Sequence, residues 1–165
     1  MKLVGLGTVL VLTYGFLSKG IKSNAVKVNH PKIDFNARKN KTIPITDIKL
    51  ADDTIPDAGS VVNMIDQDYY STWTSPKDET AVNIFFDNSI YTVTGVGLVA
   101  GHNPKKEKYF KIAEQRFRLK AGPFLNYYNL PPNFRVENTD SLRITFDKGI
   151  VVSKLVVYGF KSIPL

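Results

Sequence analysis

Asn63-Met64-Ile65-Asp66-Gln67-Asp68-Tyr69-Tyr70-Ser71-Thr72-Trp73 joins an apolar lead-in to two acids one residue apart, a hydroxyl residue and the only Trp of the chain. Asp side chains accept hydrogen bonds from backbone N–H groups two residues on, and so close tight turns. Such turns gather carboxylate and carbonyl oxygens around one point, while apolar neighbours pin the turn to a core. The stretch marks a corner between two elements of a packed fold. Whether its acids also hold a cation is left open by the residues alone.

Working outward, the chain from Thr42 onward has the hydropathy pattern of strands. Ile43–Leu50 largely alternates apolar and polar residues, Ala81–Phe86 is a short apolar run, and Tyr91–Val99 is longer and β-branched. Arg116–Leu119 and Ser141–Phe146 alternate, and Ser153–Tyr158 is the last run. Turn signals separate them at Asp57-Ala58-Gly59, Asp87-Asn88-Ser89, Asn103-Pro104, Gly122-Pro123, Pro131-Pro132-Asn133 and Asp147-Lys148-Gly149. This punctuation predicts an all-β, antiparallel jelly-roll sandwich over residues 43–165, preceded by one N-terminal hydrophobic helix. Neither an amphipathic helical pattern nor an internal repeat follows that helix.

Composition bounds the function. A chain of 165 residues holds one domain and a short appendage, and 43% hydrophobic residues suit a packed core. The absence of Cys excludes disulfides, thiolate metal sites and cysteine nucleophiles. A formal charge of +7 favours anionic surroundings such as phospholipid, acidic glycan or nucleic acid, nucleic acid least of these, but the basic residues are spread rather than clustered, which equally suits ordinary solubility. His30 and His102 are the only histidines, and no Gly-x-Ser-x-Gly elbow, His-Glu-x-x-His or phosphate-binding loop is present. The reading is therefore non-catalytic.

The first 25 residues allow two readings. Leu3–Leu17 is apolar apart from Thr8, Thr13 and small glycines, and Lys2 precedes it. Ser23-Asn24-Ala25 would serve as the cleavage site of a signal peptide. Alternatively Leu3–Ile21 reaches the roughly 20 residues that a membrane span needs, if Lys19 snorkels to the interface. The lysines that follow, Lys19, Lys22 and Lys27, favour the anchor, and the further excess of Lys and Arg puts the domain on the cytoplasmic side. Residues 26–42 read as a linker arm. The anchored reading describes a structural protein, tied to a membrane by its N-terminal helix and docking onto protein partners of an envelope or virion shell. The alternative is a secreted or surface module that binds carbohydrate in adhesion.

The residues also carry a family resemblance. From about Ile45 to Phe160 the chain resembles the discoidin domain, or coagulation-factor type C domain, of the galactose-binding-like β-sandwich class. The acidic turn Asp66–Trp73, the strands Val82–Asp87 and Val93–Leu98, the Arg-containing strand Leu142–Phe146 and the run Leu155–Gly159, ending in Tyr-Gly, stand in the family's order. Gln67 and Ser71 replace the family's Gly and Thr, and the cysteines that bracket some members are absent. The resemblance implies a sandwich whose loops at one end bind glycans, lipid head groups or proteins. It further implies a structural calcium near the turn, with Asp66 and Asp68 among its oxygen ligands, and a buried Trp73.

Two further runs offer binding chemistry. His102-Asn103-Pro104-Lys105-Lys106-Glu107-Lys108 reads as an exposed basic loop able to contact a sugar, carboxylate or phosphate. Tyr127-Tyr128, between Asn residues on a Pro-bounded loop, can stack on sugar faces, anchor an interface, or equally pack a long crossover loop onto the core. With Arg116 these make the expected ligand set: His102, Lys105, Lys106, Arg116, Tyr127 and Tyr128. Gly95–Gly101 is Gly-rich, but no helix follows it, so the glycines mark a bulge or close packing and not a nucleotide loop.

Overall fold

The computed structural model describes residues 41–55, 60–66, 68–103 and 105–162. The N-terminal helix and nearly all of the linker arm lie outside these residues. Among the described residues no helix is long and apolar enough to cross a membrane. Lys41–Thr42, expected to end the arm, instead form the first strand, β1.

Ten further strands follow: β2 Ile45–Leu50, β3 Trp73–Thr74, β4 Thr80–Phe86, β5 Tyr91–Gly101, β6 Tyr109–Ile112, β7 Gln115–Arg118, β8 Gly122–Asn129, β9 Val136–Thr139, β10 Ser141–Phe146 and β11 Val151–Lys161. They form two antiparallel sheets. One has the order β2-β4-β10-β6-β7. The other is centred on the long strands β5 and β11, with β1 and β3 on the free side of β11 and with β8 and β9 on the free side of β5.

Period-two alternation explains this pairing. In β10, Leu142, Ile144 and Phe146 are buried while Ser141, Arg143 and Thr145 face outward. In β11, Val152, Leu155 and Val157 point inward, across the bulge near Ser153. The inner faces of both sheets meet in one aromatic core. Trp73 of β3 packs edge-on to Phe146 of β10 with centroids 5.6 Å apart. Tyr128 of β8 stands edge-on to Phe110 of β6 at 4.7 Å. Trp73 is fully buried, as the resemblance implied.

β5 is the exception to alternation, because it is buried along nearly its whole length. Tyr91, Val93, Val96, Leu98 and Ala100 belong to the core between the sheets. On the other face, Leu125 and Tyr158 lean over Gly97, so own side chains cover the strand. Gly95 lets β8 approach: a Cβ there would lie 2.6 Å from the Tyr128 carbonyl oxygen. Gly95 and Gly97 are thus close-packing residues, as expected, whereas a Cβ at Gly101 would meet nothing within 4 Å.

The acidic turn is a corner that precedes β3. Ser60 caps a short 3-10 turn, Val61–Met64, whose Val61 and Met64 are buried. Asn63 Nδ2 donates to the Thr72 carbonyl at 3.1 Å and ties the two ends of the stretch together.

The sandwich has two ends. β1 pairs with the last residues of β11, and Tyr91 at the start of β5 pairs with Lys161. At the opposite end β5 runs out at Gly101 beside Val151. The segments 51–55, 75–79, 102–103, 105–108, 119–121 and 147–150 gather there. Ser75 joins two of them: its Oγ donates to the Asp147 carbonyl and accepts from the Ile150 N–H at 2.9 Å.

Candidate functional site

The loop end collects charge, and its carboxylates are largely engaged. Asp52 pairs with Lys77 at 2.9 Å and accepts from the Thr54 hydroxyl and N–H. The Thr54 and Lys77 hydrogen bonds hold its carboxyl at about 2, below the ordinary 3.8. Glu79 pairs with Lys111, and Asp78 accepts from the Lys148 N–H. Asp147 Oδ2 accepts from the Tyr109 N–H at 2.9 Å. Glu107 binds Arg118 at 2.6 Å and accepts from the Tyr109 hydroxyl, which raises the Tyr109 phenol above its ordinary value.

The cations beside Glu107 are differently placed. Among the described residues Lys105, Lys106, Lys108 and Lys120 have no carboxylate partner. Two short segments present them. The β5–β6 loop carries His102 to Lys108, and its backbone is shaped by Asn103, whose Oδ1 accepts from the Lys105 N–H at 3.0 Å. Leu119 N–H donates to the Lys108 carbonyl, which brings the β7–β8 connection alongside. Lys120 is anchored by its own backbone, since its N–H donates to the buried Tyr128 hydroxyl at 2.9 Å. Asn126 Nδ2 donates to the Lys120 carbonyl from the next strand.

Strand β8 brings an exposed aromatic residue, Phe124, to the same end of the sandwich. Ala100 pairs with Gly122, so β5 leaves toward His102 where β8 enters toward Phe124. Phe124 is 79% exposed. A flat apolar ring next to lysines and amides can stack on the C–H face of a sugar while the cations take its anionic groups.

The residues expected from sequence fall in separate places. His102, Lys105 and Lys106 come together on the loop. Arg116 lies on the outer face of β7, with its guanidinium carbon 3.9 Å from the centroid of the Tyr109 ring. Tyr127 lies on the outer face of the other sheet, its ring 5.3 Å from that of Tyr158. Burial, with the Tyr127 hydroxyl beside it, raises the Tyr158 phenol.

Tyr128 requires a correction. The Tyr127-Tyr128 segment is strand β8 and not a loop, so alternation sends the second ring inward. Tyr128 is 1% exposed, packed against Phe110 and Phe117, and burial raises its phenol. It offers no surface to a ligand and instead holds Lys120 in place. Phe124, Lys108 and Lys120 were missed as site residues. The signal for Phe124 and Lys120 was a Lys-x-Gly-Pro-Phe turn entering a strand, legible only if the following run is read as β, while Lys108 stood in the basic loop without being counted in the ligand set.

The acidic turn satisfies itself. Asp66 Oδ1 accepts from the Asp68 N–H at 3.1 Å, and Ser71 Oγ lies 2.6 Å from Asp66 Oδ2. Asp68 Oδ1 accepts from the Tyr70 N–H at 2.8 Å. Calcium takes six to eight oxygen ligands, and among the described residues no group of three or more His, Asp or Glu side chains could hold a metal. As arranged, Asp66 and Asp68 each accept hydrogen bonds that close the turn.

Comparison with known proteins bears on the fold. No protein-family model matches the chain, and no curated protein matches it. Solved structures do. A carbohydrate-binding module of AlyQ, of the type called CBM32, in complex with 4,5-unsaturated mannuronic acid, is 15% identical with a TM-score of 0.51, over 71% of this chain and 97% of that one. A truncated AlyQ with CBM32 and alginate lyase domains is 13% identical with a TM-score of 0.51 over 76% of this chain, which spans only 34% of that longer protein. An F5/8 type C domain of a Bacteroides fragilis protein is 14% identical with a TM-score of 0.53, over 73% of this chain and 98% of that one. The fold is discoidin-like.

Proposed function

We propose that this chain is a non-catalytic carbohydrate-binding module that takes an acidic saccharide at the loop end. The observation that carries this reading is the cluster of Lys105, Lys106, Lys108 and Lys120, without carboxylate partners among the described residues and at the end of the sandwich where β8 enters with the exposed Phe124. The lysines would bind carboxylate or sulfate, Phe124 would stack on a ring face, and His102 and Asn103 would meet hydroxyls. Support comes from a discoidin-like neighbour that is a carbohydrate-binding module complexed with an unsaturated uronic acid. A secreted or cell-surface setting belongs to the same reading.

The alternative of a membrane-anchored protein docking onto a shell draws its argument from residues 1–41, nearly all outside the described residues. Nothing in the fold neighbours favours it.

A glycan array carrying neutral, uronate and sulfated saccharides tests the proposal. Binding is expected on the acidic features, with a loss of about tenfold or more in a Lys105→Ala/Lys106→Ala/Lys120→Ala variant. Phe124→Ala should weaken binding at unchanged melting temperature, because the ring is exposed. An array with no binding to any saccharide would sink the reading.

A further inference from the structure

The outer face of the five-stranded sheet bears a second set of cations. Alternation turns Lys49, Asn83, Arg143, Thr145, Lys111, Arg116 and Arg118 outward. Register aligns Thr145, Lys111 and Arg116 in one row across three strands, and Lys49, Asn83 and Arg143 in another. Lys49, Lys111 and Arg118 are paired with Asp47, Glu79 and Glu107. Arg116 and Arg143 have no carboxylate partner among the described residues.

Arg116 is also held in one orientation. Its guanidinium carbon sits over the Tyr109 ring, 3.9 Å from the centroid, and its Nε is buried without a hydrogen-bond partner among the described residues. A stacked guanidinium loses little freedom when its terminal N–H groups grip a carboxylate in a two-pronged contact. A buried N–H left unmatched is costly, and the fold sustains it here in a cation that points to no acid of its own. Arg143 is exposed. Two strand spacings and two residues of rise put the two arginine Cα atoms about 12 Å apart, with Lys111 and the Thr145 hydroxyl between.

We propose that this face is a second anion-binding surface, on which Arg116 and Arg143 hold spaced carboxylates of one acidic polysaccharide chain. The ligand class rests on the acidic-glycan reading of the loop end, but the surface is separate from it. The alternation of free arginines with the paired acids Asp47, Glu79 and Glu107 suits widely spaced carboxylates. It opposes the dense, continuous charge of a nucleic acid.

The test compares polymannuronate, a mannuronate disaccharide and single-stranded DNA by titration calorimetry against the full chain. Arg116→Met and Arg143→Ala are each expected to weaken polymannuronate binding several-fold, and the double variant about tenfold or more. The disaccharide, held at the loop end, should bind the double variant as before. Arg116→Lys should recover part of the affinity, since it keeps charge but loses the planar fork. Arg143 is exposed, so Arg143→Ala reports on the surface even if changes at Arg116 disturb packing against Tyr109. Unchanged polymannuronate affinity in Arg143→Ala and in the double variant would overturn the proposal and leave the loop-end reading intact. So would a loss confined to DNA. A wild-type chain that binds neither saccharide overturns this proposal and leaves the loop-end reading to the glycan array, and disaccharide binding without any gain for the polymer likewise removes this proposal alone.

Discussion

Asp66 and Tyr128 show how one side chain takes its meaning from its surroundings. Asp66 holds a turn closed with both oxygens. Asp66→Ala should lower stability by about 1–2 kcal/mol, the worth of charge-assisted hydrogen bonds lost at an exposed turn. EDTA should leave the melting temperature of the wild-type chain unchanged, because the carboxylates are engaged by N–H and O–H groups. A drop with EDTA that added calcium reverses would overturn that account. Tyr128→Phe removes the acceptor for the Lys120 N–H. The expected cost is about 1–3 kcal/mol in denaturant unfolding, with weaker saccharide binding through displacement of Lys120. Trp73 was identified correctly as core, and its burial beside Phe146 needs no ligand to explain it.

Among the elements, the β6–β7 hairpin carries both Arg116 and Arg118 and turns on two residues, Ala113 and Glu114. Ile112 pairs with Gln115 across it. Ala113 has φ 49°, in the left-handed region, where a Cβ is disfavoured. Two-residue hairpins with positive φ at the first central position prefer Gly there. Ala113→Gly should therefore stabilise the chain, by up to about 1 kcal/mol. A fall in urea midpoint would show that the turn is not strained. β8 is the element that sequence reading placed worst. Pro123 at its start and the Pro131-Pro132 pair just beyond its end suggested a loop, yet Pro123 is tolerated on a strand that lies at the sheet edge. β6, β3 and β9 were also missed, being two to four residues long and weakly alternating.

For the whole molecule, acid is the informative perturbation. Asp52 links the segment after β2 to the segment after β3 through Lys77, and its folded value of about 2 lies below the ordinary 3.8. Asp87, which accepts from the Tyr91 hydroxyl, is also lowered. A carboxylate whose value is depressed on folding contributes stability that is fully present above its unfolded value and is lost as pH falls through the folded one. Stability should therefore decline from about pH 4 toward pH 2, and Asp52→Asn should flatten that decline in melting temperature measured against pH. A variant curve that parallels the wild type would sink the assignment. The net charge of +7 adds that binding of any acidic glycan should weaken as salt rises.

By itself the sequence determined the all-β class, the long strands β4, β5, β10 and β11, the acidic corner and the buried Trp. These features are local, because alternation, turn chemistry and burial tendency are written in neighbouring residues. Only the tertiary structure decided which side chains share a surface. Register at Val96 and Tyr128 sent that ring inward. The pairing of Ala100 with Gly122 set Phe124 at the same end of the sandwich as the basic loop. Rows across β10, β6 and β7 put Arg116 in line with Thr145. Such neighbourhoods arise from contacts between residues far apart in the chain, and a one-residue change in strand register would reverse every one of them.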